Sequence, residues 1–165
     1  LKLAWHIVRS EPEARVLVLC LELCTLHLQE TSALEQLLCF LLFADGAAAA
    51  LVSADPCGLH VEGFRSLVMP EAAEMLGARS VAEVDLWAVH PGGRSILDAV
   101  AHGLALPQGA LAESRAVLRD HGNMSSATVM FVLRAMLDQA LPGRRGCALA
   151  FGPGLSAEAM RFTTA

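Results

Sequence analysis

The period of apolar and polar residues changes several times along the chain, and each change predicts an element. Residues 1–9 have the spacing of an amphipathic helix. Arg15 to Cys20 is instead a continuous apolar run, fit for a strand buried on both faces. Helical spacing returns over 32–43, Gly46 breaks it, and Ala47 to Val52 predicts a second buried strand ending at Asp55-Pro56. A further series follows: a helix near 71–77, a short strand from Asp85 to Val89, helices near 94–104, 110–120 and 124–140, and closing strands at 146–151 and 157–163. Buried strands alternating with helices predict α/β layers. The boundary falls near Pro56-Cys57-Gly58, which divides the chain into 1–56 and 57–165.

Composition sharpens this picture in one respect. Of 165 residues, 55% are hydrophobic and only 18% charged, more buried surface than a free-standing domain of this length needs. Much of the surface is therefore expected to face other protein. A mean hydropathy of +0.50 raises the question of a membrane. Glu22 and Asp45 interrupt the two most apolar stretches well short of a spanning helix, so the expectation is a soluble, cytoplasmic protein with no membrane partner. The net charge of -5 is scattered, and no Lys/Arg cluster exceeds Arg144-Arg145, which argues against nucleic acid. Cys20, Cys24, Cys39 and Cys147 lie in apolar runs, and the five cysteines show no CxxC or Cys/His ligand spacing, so reduced thiols and no metal are expected. The sequence begins at Leu1 inside a helical pattern, without the features of a signal peptide, and is expected to start mid-domain.

Four short segments carry candidate chemistry. In Trp87-Ala88-Val89-His90-Pro91-Gly92-Gly93 an apolar strand delivers a histidine to a sharp turn that opens a helix at Arg94. An imidazole there suits a general base or hydrogen-bond donor near neutral pH, and the glycines let a ligand approach the backbone; the plainer reading is a turn cap. In His121-Gly122-Asn123-Met124-Ser125-Ser126, Asn123 stands before an apolar helix. It is either an ordinary N-cap or an amide donor to an oxyanion. Phe151-Gly152-Pro153-Gly154 is a tight turn after a strand, with no dinucleotide fingerprint, so no redox cofactor is expected. Phe43-Ala44-Asp45-Gly46 turns a helix into a strand, and core packing is the default reading of Phe43.

A histidine and an asparagine invite a search for a cysteine nucleophile. Cys20 and Cys147 lie in apolar strand runs, where burial raises a thiol pKa, and Cys24 suits a cavity wall better than a reactive site. The position favoured by charge is the N-terminus of the helix at Leu1 to Val8, ahead of this sequence.

His90-Pro91-Gly92-Gly93, Gly122-Asn123-Met124-Ser125-Ser126 and Phe151-Gly152-Pro153-Gly154 resemble, in order and spacing, three motifs of the type III polyketide synthases, the chalcone and stilbene synthase family. Ala14 to Cys20, Glu22 to His27 and Phe43 to Gly46 extend the resemblance over nearly the whole chain, with Ala44 where the family usually has glycine. The resemblance implies a thiolase-like αβαβα fold, present in part: the end of its first half over 1–56 and most of its second half over 57–165. It implies a homodimer that condenses a starter acyl-CoA with malonyl-CoA, both as substrates, with no cofactor. It assigns His90 to a cysteine thiolate and the thioester carbonyl, Asn123 to the enolate left by decarboxylation, and Phe43 to a gate between the coenzyme A tunnel and the cavity. Gly92 and Gly93 fall where the backbone approaches pantetheine; Cys24, His27, Gly152, Pro153 and Gly154 fall where the cavity is lined. It also places the nucleophile just before Leu1, so that the isolated chain is expected to be inactive. Between Pro56 and Gly63 the family has a longer stretch with a second gate aromatic, for which Phe64 is the candidate.

Two other readings compete. A ketoacyl-ACP synthase III shares the fold and the Cys-His-Asn logic, but the Pro-Gly-Gly after His90 and the Met-Ser-Ser after Asn123 favour the polyketide branch. A fragment that only folds or pairs with a partner chain is the non-catalytic alternative.

Overall fold

The computed structural model describes residues 1–68, 80–152, 154 and 156–165. The helix expected near 71–77, and Pro153, lie outside the described residues. Two sheets organise the chain. The larger has the order β3-β6-β5-β4, from Leu59–Val68, Ser156–Thr164, Arg145–Gly152 and Leu86–Val89. Its pairs are antiparallel except for the parallel pair β4–β5, in which Val89 stands opposite Leu149. The smaller is the antiparallel pair β1 (Val16–Glu22) and β2 (Gly46–Val52).

Strand alternation distributes the apolar residues of the larger sheet between two cores. Trp87, Val89, Cys147, Leu149, Ala157 and Ala159 face one way, where Leu97 and Val100 of α3 (Arg94–Gly103) cover them. Ala88, Ala148, Met160 and Phe162 face the other way, onto Val132, Leu133 and Met136 of α5 (Thr128–Leu137). Gly146 leaves room for the Phe162 ring, which a Cβ at that position would overlap. The helix α4 (Ala112–His121) packs against α3, α5 and β4, and its buried Ser114 hydroxyl accepts a hydrogen bond from the Val89 N–H at 3.2 Å.

Between the sheets lie α5 and α1 (Lys2–Ser10). Helix α1 packs on β1 and β2, while Trp5 donates its indole N–H to the Val61 carbonyl of β3 at 3.1 Å and Lys2 reaches Ser66. Helix α5 touches β4 and β5 on one side and β2 on the other. The layers therefore run α3, four-stranded sheet, α1 with α5, two-stranded sheet.

Three expectations need correction. The strands at 15–20 and 47–52 are not buried on both faces: one face, with Leu17, Leu19 and Leu21, is 59–70% exposed, because among the described residues no layer covers it. The stretch after Pro56, to which the pattern assigns no element, forms the ten-residue strand β3; Glu62-Gly63 breaks its alternation, and the register with β6 shifts there. The helix expected over 124–140 starts later, at Thr128, after a 3-10 turn at Ser125–Ala127. The helix at 32–43, observed as α2 (Leu34–Leu42), buries none of its residues.

Candidate active site

Every candidate segment lies where β4 and β5 end, or in the turns that pack against that edge. The parallel ladder runs one residue past β4: the His90 N–H donates to the Leu149 carbonyl at 2.7 Å. Pro91 is fully buried, the Gly92 N–H donates back to the His90 carbonyl at 3.0 Å, and α3 begins at Arg94. A Cβ on Gly92 would lie 3.8 Å from His90 Cδ2 and 3.9 Å from Nε2, so the bare α-carbon faces the edge of the imidazole. Burial holds the His90 pKa below the ordinary histidine value, which favours the neutral ring at pH 7.

Asn123 follows α4 after a glycine in the left-handed region, Gly122 at φ +73°. Its backbone is tied to the turn after α2 by two hydrogen bonds of a parallel bridge. The Asn123 N–H donates to the Leu42 carbonyl and the Ala44 N–H donates to the Asn123 carbonyl, both at 2.9 Å. Phe43 is the residue between them and is therefore held opposite Asn123. Close approach at two glycines makes this bridge possible. A Cβ on Gly122 would stand 3.0 Å from that of Ala44, and one on Gly46 would stand 2.7 Å from Met124 Cβ, so at Gly46 something must shift. Gly93 belongs to the same packing, since its Cβ would lie 3.8 Å from Leu42 Cδ2.

The Asn123 side chain is buried, at 4% exposure, and both ends of its amide are engaged. Nδ2 donates to the Gly92 carbonyl at 3.3 Å, a long bond, while Oδ1 accepts from the Ser125 N–H at 2.9 Å. Asn123 and His90 thus share Gly92 as a neighbour. Phe43 is 43% exposed, so the default reading of a core aromatic does not hold.

Cys24 and His27 sit at the two ends of a 3-10 turn, Cys24–His27, which is anchored to the Phe43 turn. The Thr25 N–H and hydroxyl donate to the two carboxylate oxygens of Asp45 at 2.8 and 2.6 Å, which keeps Asp45 below the usual carboxylate range. Burial pushes the Cys24 thiol pKa up, and the Glu22 and Asp45 carboxylates add to the rise; Cys24 is not a ready thiolate. His27 is exposed. Gly152 ends β5 three residues beyond Leu149, so it lies at the same sheet edge as His90, further along the neighbouring strand, and Gly154 lies between β5 and β6. Phe64 lies in β3 with its ring edge-on to Trp5, centroids 5.6 Å apart, and packs against the second core.

Several contacts that build this arrangement leave no local signal in the sequence. Glu22 accepts hydrogen bonds from both the N–H and the hydroxyl of Ser126, which lowers its pKa and joins the end of β1 to the turn after Asn123. Met124 fills the space beside Gly46, and Thr128 lies beneath the Asn123 amide. In the sequence Gly46 is a breaker between helix and strand and the end of the Phe43 to Gly46 stretch; that Met124 requires it is a fact of packing.

The family model described as chalcone and stilbene synthases, C-terminal domain, matches residues 60–164. The chain belongs to the chalcone and stilbene synthase family. Among the relatives of this family member is the alpha-pyrone synthesis polyketide synthase-like Pks18 of Mycobacterium tuberculosis (strain ATCC 25618 / H37Rv), 29% identical over 96% of this chain and 52% of that protein. Another is the 1,3,6,8-tetrahydroxynaphthalene synthase of Streptomyces peucetius subsp. caesius, 31% identical over 90% of this chain and 51% of that protein. The chain spans about half the length of these relatives. The alignment with Pks18 extends over 204 residues, more than the 165 of the chain, so that relative has internal segments without a counterpart here. Among solved structures, the C-terminal type III polyketide synthase domain of Steely1 from Dictyostelium superposes with a TM-score of 0.86 at 25% identity, over 99% of this chain and 57% of that one. The 1,3,6,8-tetrahydroxynaphthalene synthase of Streptomyces coelicolor A3(2) does so with a TM-score of 0.83 at 29% identity, over 98% and 57%. The α/β layering of this family member is therefore that of the thiolase-like type III synthase fold, over the part that the chain spans.

Proposed function

We propose that the protein to which this chain contributes condenses a starter acyl-CoA with malonyl-CoA by decarboxylative Claisen condensation, yielding an aromatic or pyrone polyketide. The observation that carries the reading is the bridge between Phe43 and Asn123, with the Asn123 amide beside Gly92 and Gly92 beside His90. In this reading, residues 1–56 and 57–165 belong to the two halves of the thiolase-like fold, and the enzyme works as a cytoplasmic homodimer.

The chemistry follows from the donors. The Asn123 amide has a second N–H beyond the one directed at Gly92, and a neutral His90 has one ring N–H; together they donate to the thioester carbonyl oxygen of malonyl-CoA. As the bond to the malonyl carboxylate breaks and carbon dioxide leaves, its electron pair forms an enolate whose oxygen these donors hold. The enolate carbon then attacks the acyl group carried as a cysteine thioester, and the thiolate departs. We assign that thiolate to a cysteine other than the five in this sequence, because Cys147 is fully buried, Cys20 packs from β1 against the second core, Cys24 is disfavoured as an anion, and Cys39 and Cys57 lie exposed on α2 and before β3. A thiolate beside His90 would reverse the effect of burial and raise the imidazole pKa. Phe43, half exposed beside the site, gives an apolar wall that disfavours the malonyl carboxylate. Cys24, His27, Gly152 and Gly154 form the cavity side, and Gly92 with Gly93 the pantetheine side.

The test is carbon dioxide release from malonyl-CoA by the full natural protein. Removing one such donor typically costs about 10²–10³ in rate, and Asn123→Ala is expected to fall in that range. Release at the wild-type rate would exclude Asn123 from the mechanism.

A further inference from the structure

Oδ1 and Nδ2 of an asparagine are nearly alike in size, so nothing in the side chain itself decides which end faces a substrate; its neighbours do. Around Asn123 the neighbours are unambiguous. Oδ1 receives the Ser125 N–H at 2.9 Å and faces the Thr128 hydroxyl at 3.4 Å, while Nδ2 faces the Gly92 carbonyl at 3.3 Å. Turned over, the amide would set its N–H groups against the Ser125 N–H and its oxygen against the Gly92 carbonyl.

The Ser125 donor is itself held in an unusual place. Ser125 has φ +50°, the left-handed region that residues with a Cβ rarely adopt, and such a turn persists only when its surroundings hold it. The Thr128 hydroxyl supplies one such hold, since it donates to the Ser125 carbonyl at 2.9 Å. Thr128 is 0% exposed, so water does not replace that hydroxyl. Its single hydrogen serves Ser125 first and Asn123 Oδ1 second, in a three-centre arrangement. The hydroxyl therefore acts on the amide both directly and through the turn.

We propose that Thr128 is a positioning residue for decarboxylation: its buried hydroxyl holds the Ser125 turn and faces Asn123 Oδ1, so that the Asn123 NH2 is presented toward Gly92 and the substrate carbonyl. This rests on the proposed function, in which Asn123 is the donor. A threonine bonding back to the carbonyl three residues earlier is also a common local feature, which supports a helix start and nothing more. The two roles part in their dependence on Asn123.

The experiment measures carbon dioxide release from malonyl-CoA by the full natural protein as wild type, Thr128→Val, Thr128→Ser, Asn123→Ala and the double variant Thr128→Val/Asn123→Ala, with folding followed by circular dichroism. Thr128→Val keeps the side-chain shape without the donor and is expected to lower kcat about tenfold, as small misplacements of a reacting group do, with the KM for malonyl-CoA nearly unchanged. Thr128→Ser restores most of the rate, and adding Thr128→Val to Asn123→Ala causes no further fall. A wild-type kcat for Thr128→Val, an equal fall on both backgrounds, or a Thr128→Ser as slow as Thr128→Val would overturn the proposal while leaving Asn123 in place. A wild-type rate for Asn123→Ala would overturn the reading on which it rests. Should Thr128→Val not fold, Thr128→Ala is judged by the same kinetic outcomes.

Discussion

The four-stranded sheet has helices against both faces, α3 on one and α1 with α5 on the other, whereas among the described residues the sheet β1–β2 is covered on one face only. Trp87 and Phe162 in the first are 2% and 0% exposed; Leu19 in the second is 70% exposed. The local sequences do not predict this difference, since Val16 to Cys20 is as apolar as Cys147 to Phe151. Apolar strand residues seek cover, but which face obtains it depends on what packs there. The site lies at the junction of the two regions. The Phe43 turn comes from between α2 and β2, His90 from the covered sheet, and Asn123 from the turn that joins α4 to the helix between the sheets.

The comparison can be broken most severely inside the covered sheet. Phe162→Ala is expected to destabilise the chain by about 3–5 kcal/mol, measured by urea denaturation, because it removes a fully buried ring and leaves a cavity beside α5. A loss below ~1 kcal/mol would mean that the sheet collapses around the gap. Next comes the junction. Gly46→Ala places a Cβ against Met124 and is expected to cost about 1–3 kcal/mol, as overpacking does. Met124→Ala in addition should recover part of that loss; no recovery would show that the strain arises in the backbone.

A smaller effect concerns pH. The folded state lowers the His90 pKa by burial, so between the folded and unfolded values the unfolded chain binds more protons. Stability from this residue is complete above the ordinary histidine value of 6.5 and is lost as pH falls below it toward the folded pKa. The denaturation midpoint should decline from pH 7.5 to about 5.5 more steeply in wild type than in His90→Gln. Equal slopes would mean that His90 titrates as if exposed. The smallest expected change is at the open face: Leu19→Ser should alter the stability of this chain by no more than ~0.5 kcal/mol. A loss approaching that of Phe162→Ala would show that the face is covered in solution.

Most helices and strands were legible because their periods are clear and their ends carry breakers: Pro91-Gly92-Gly93 before α3, Gly122 after α4, Gly46 before β2. β3 was not, since Glu62-Gly63 interrupts its alternation where the register with β6 shifts. Nor was the start of α5. Asn123 as a simple N-cap would begin a helix at Met124, but its Oδ1 instead holds a left-handed Ser125, and the helix waits until Thr128. For the candidate site, the motifs around His90 and Asn123 could be named from the sequence, whereas their partners in space could not. Glu22 with Ser126 and Gly46 with Met124 join positions about eighty to a hundred residues apart, and no local period encodes such pairs.

The amino-acid order was enough to specify an α/β chain of this family, the turns that end its strands, and the segments where a histidine and an asparagine stand near glycines, because each depends on neighbours within a few residues. Which face of β1–β2 is left open, that Phe43 lies opposite Asn123 rather than in the core, and which way the Asn123 amide points all depend on atoms brought together by packing. Burial, close approach and hydrogen-bond orientation are properties of assembled neighbours, and they exist only once both sheets are in place.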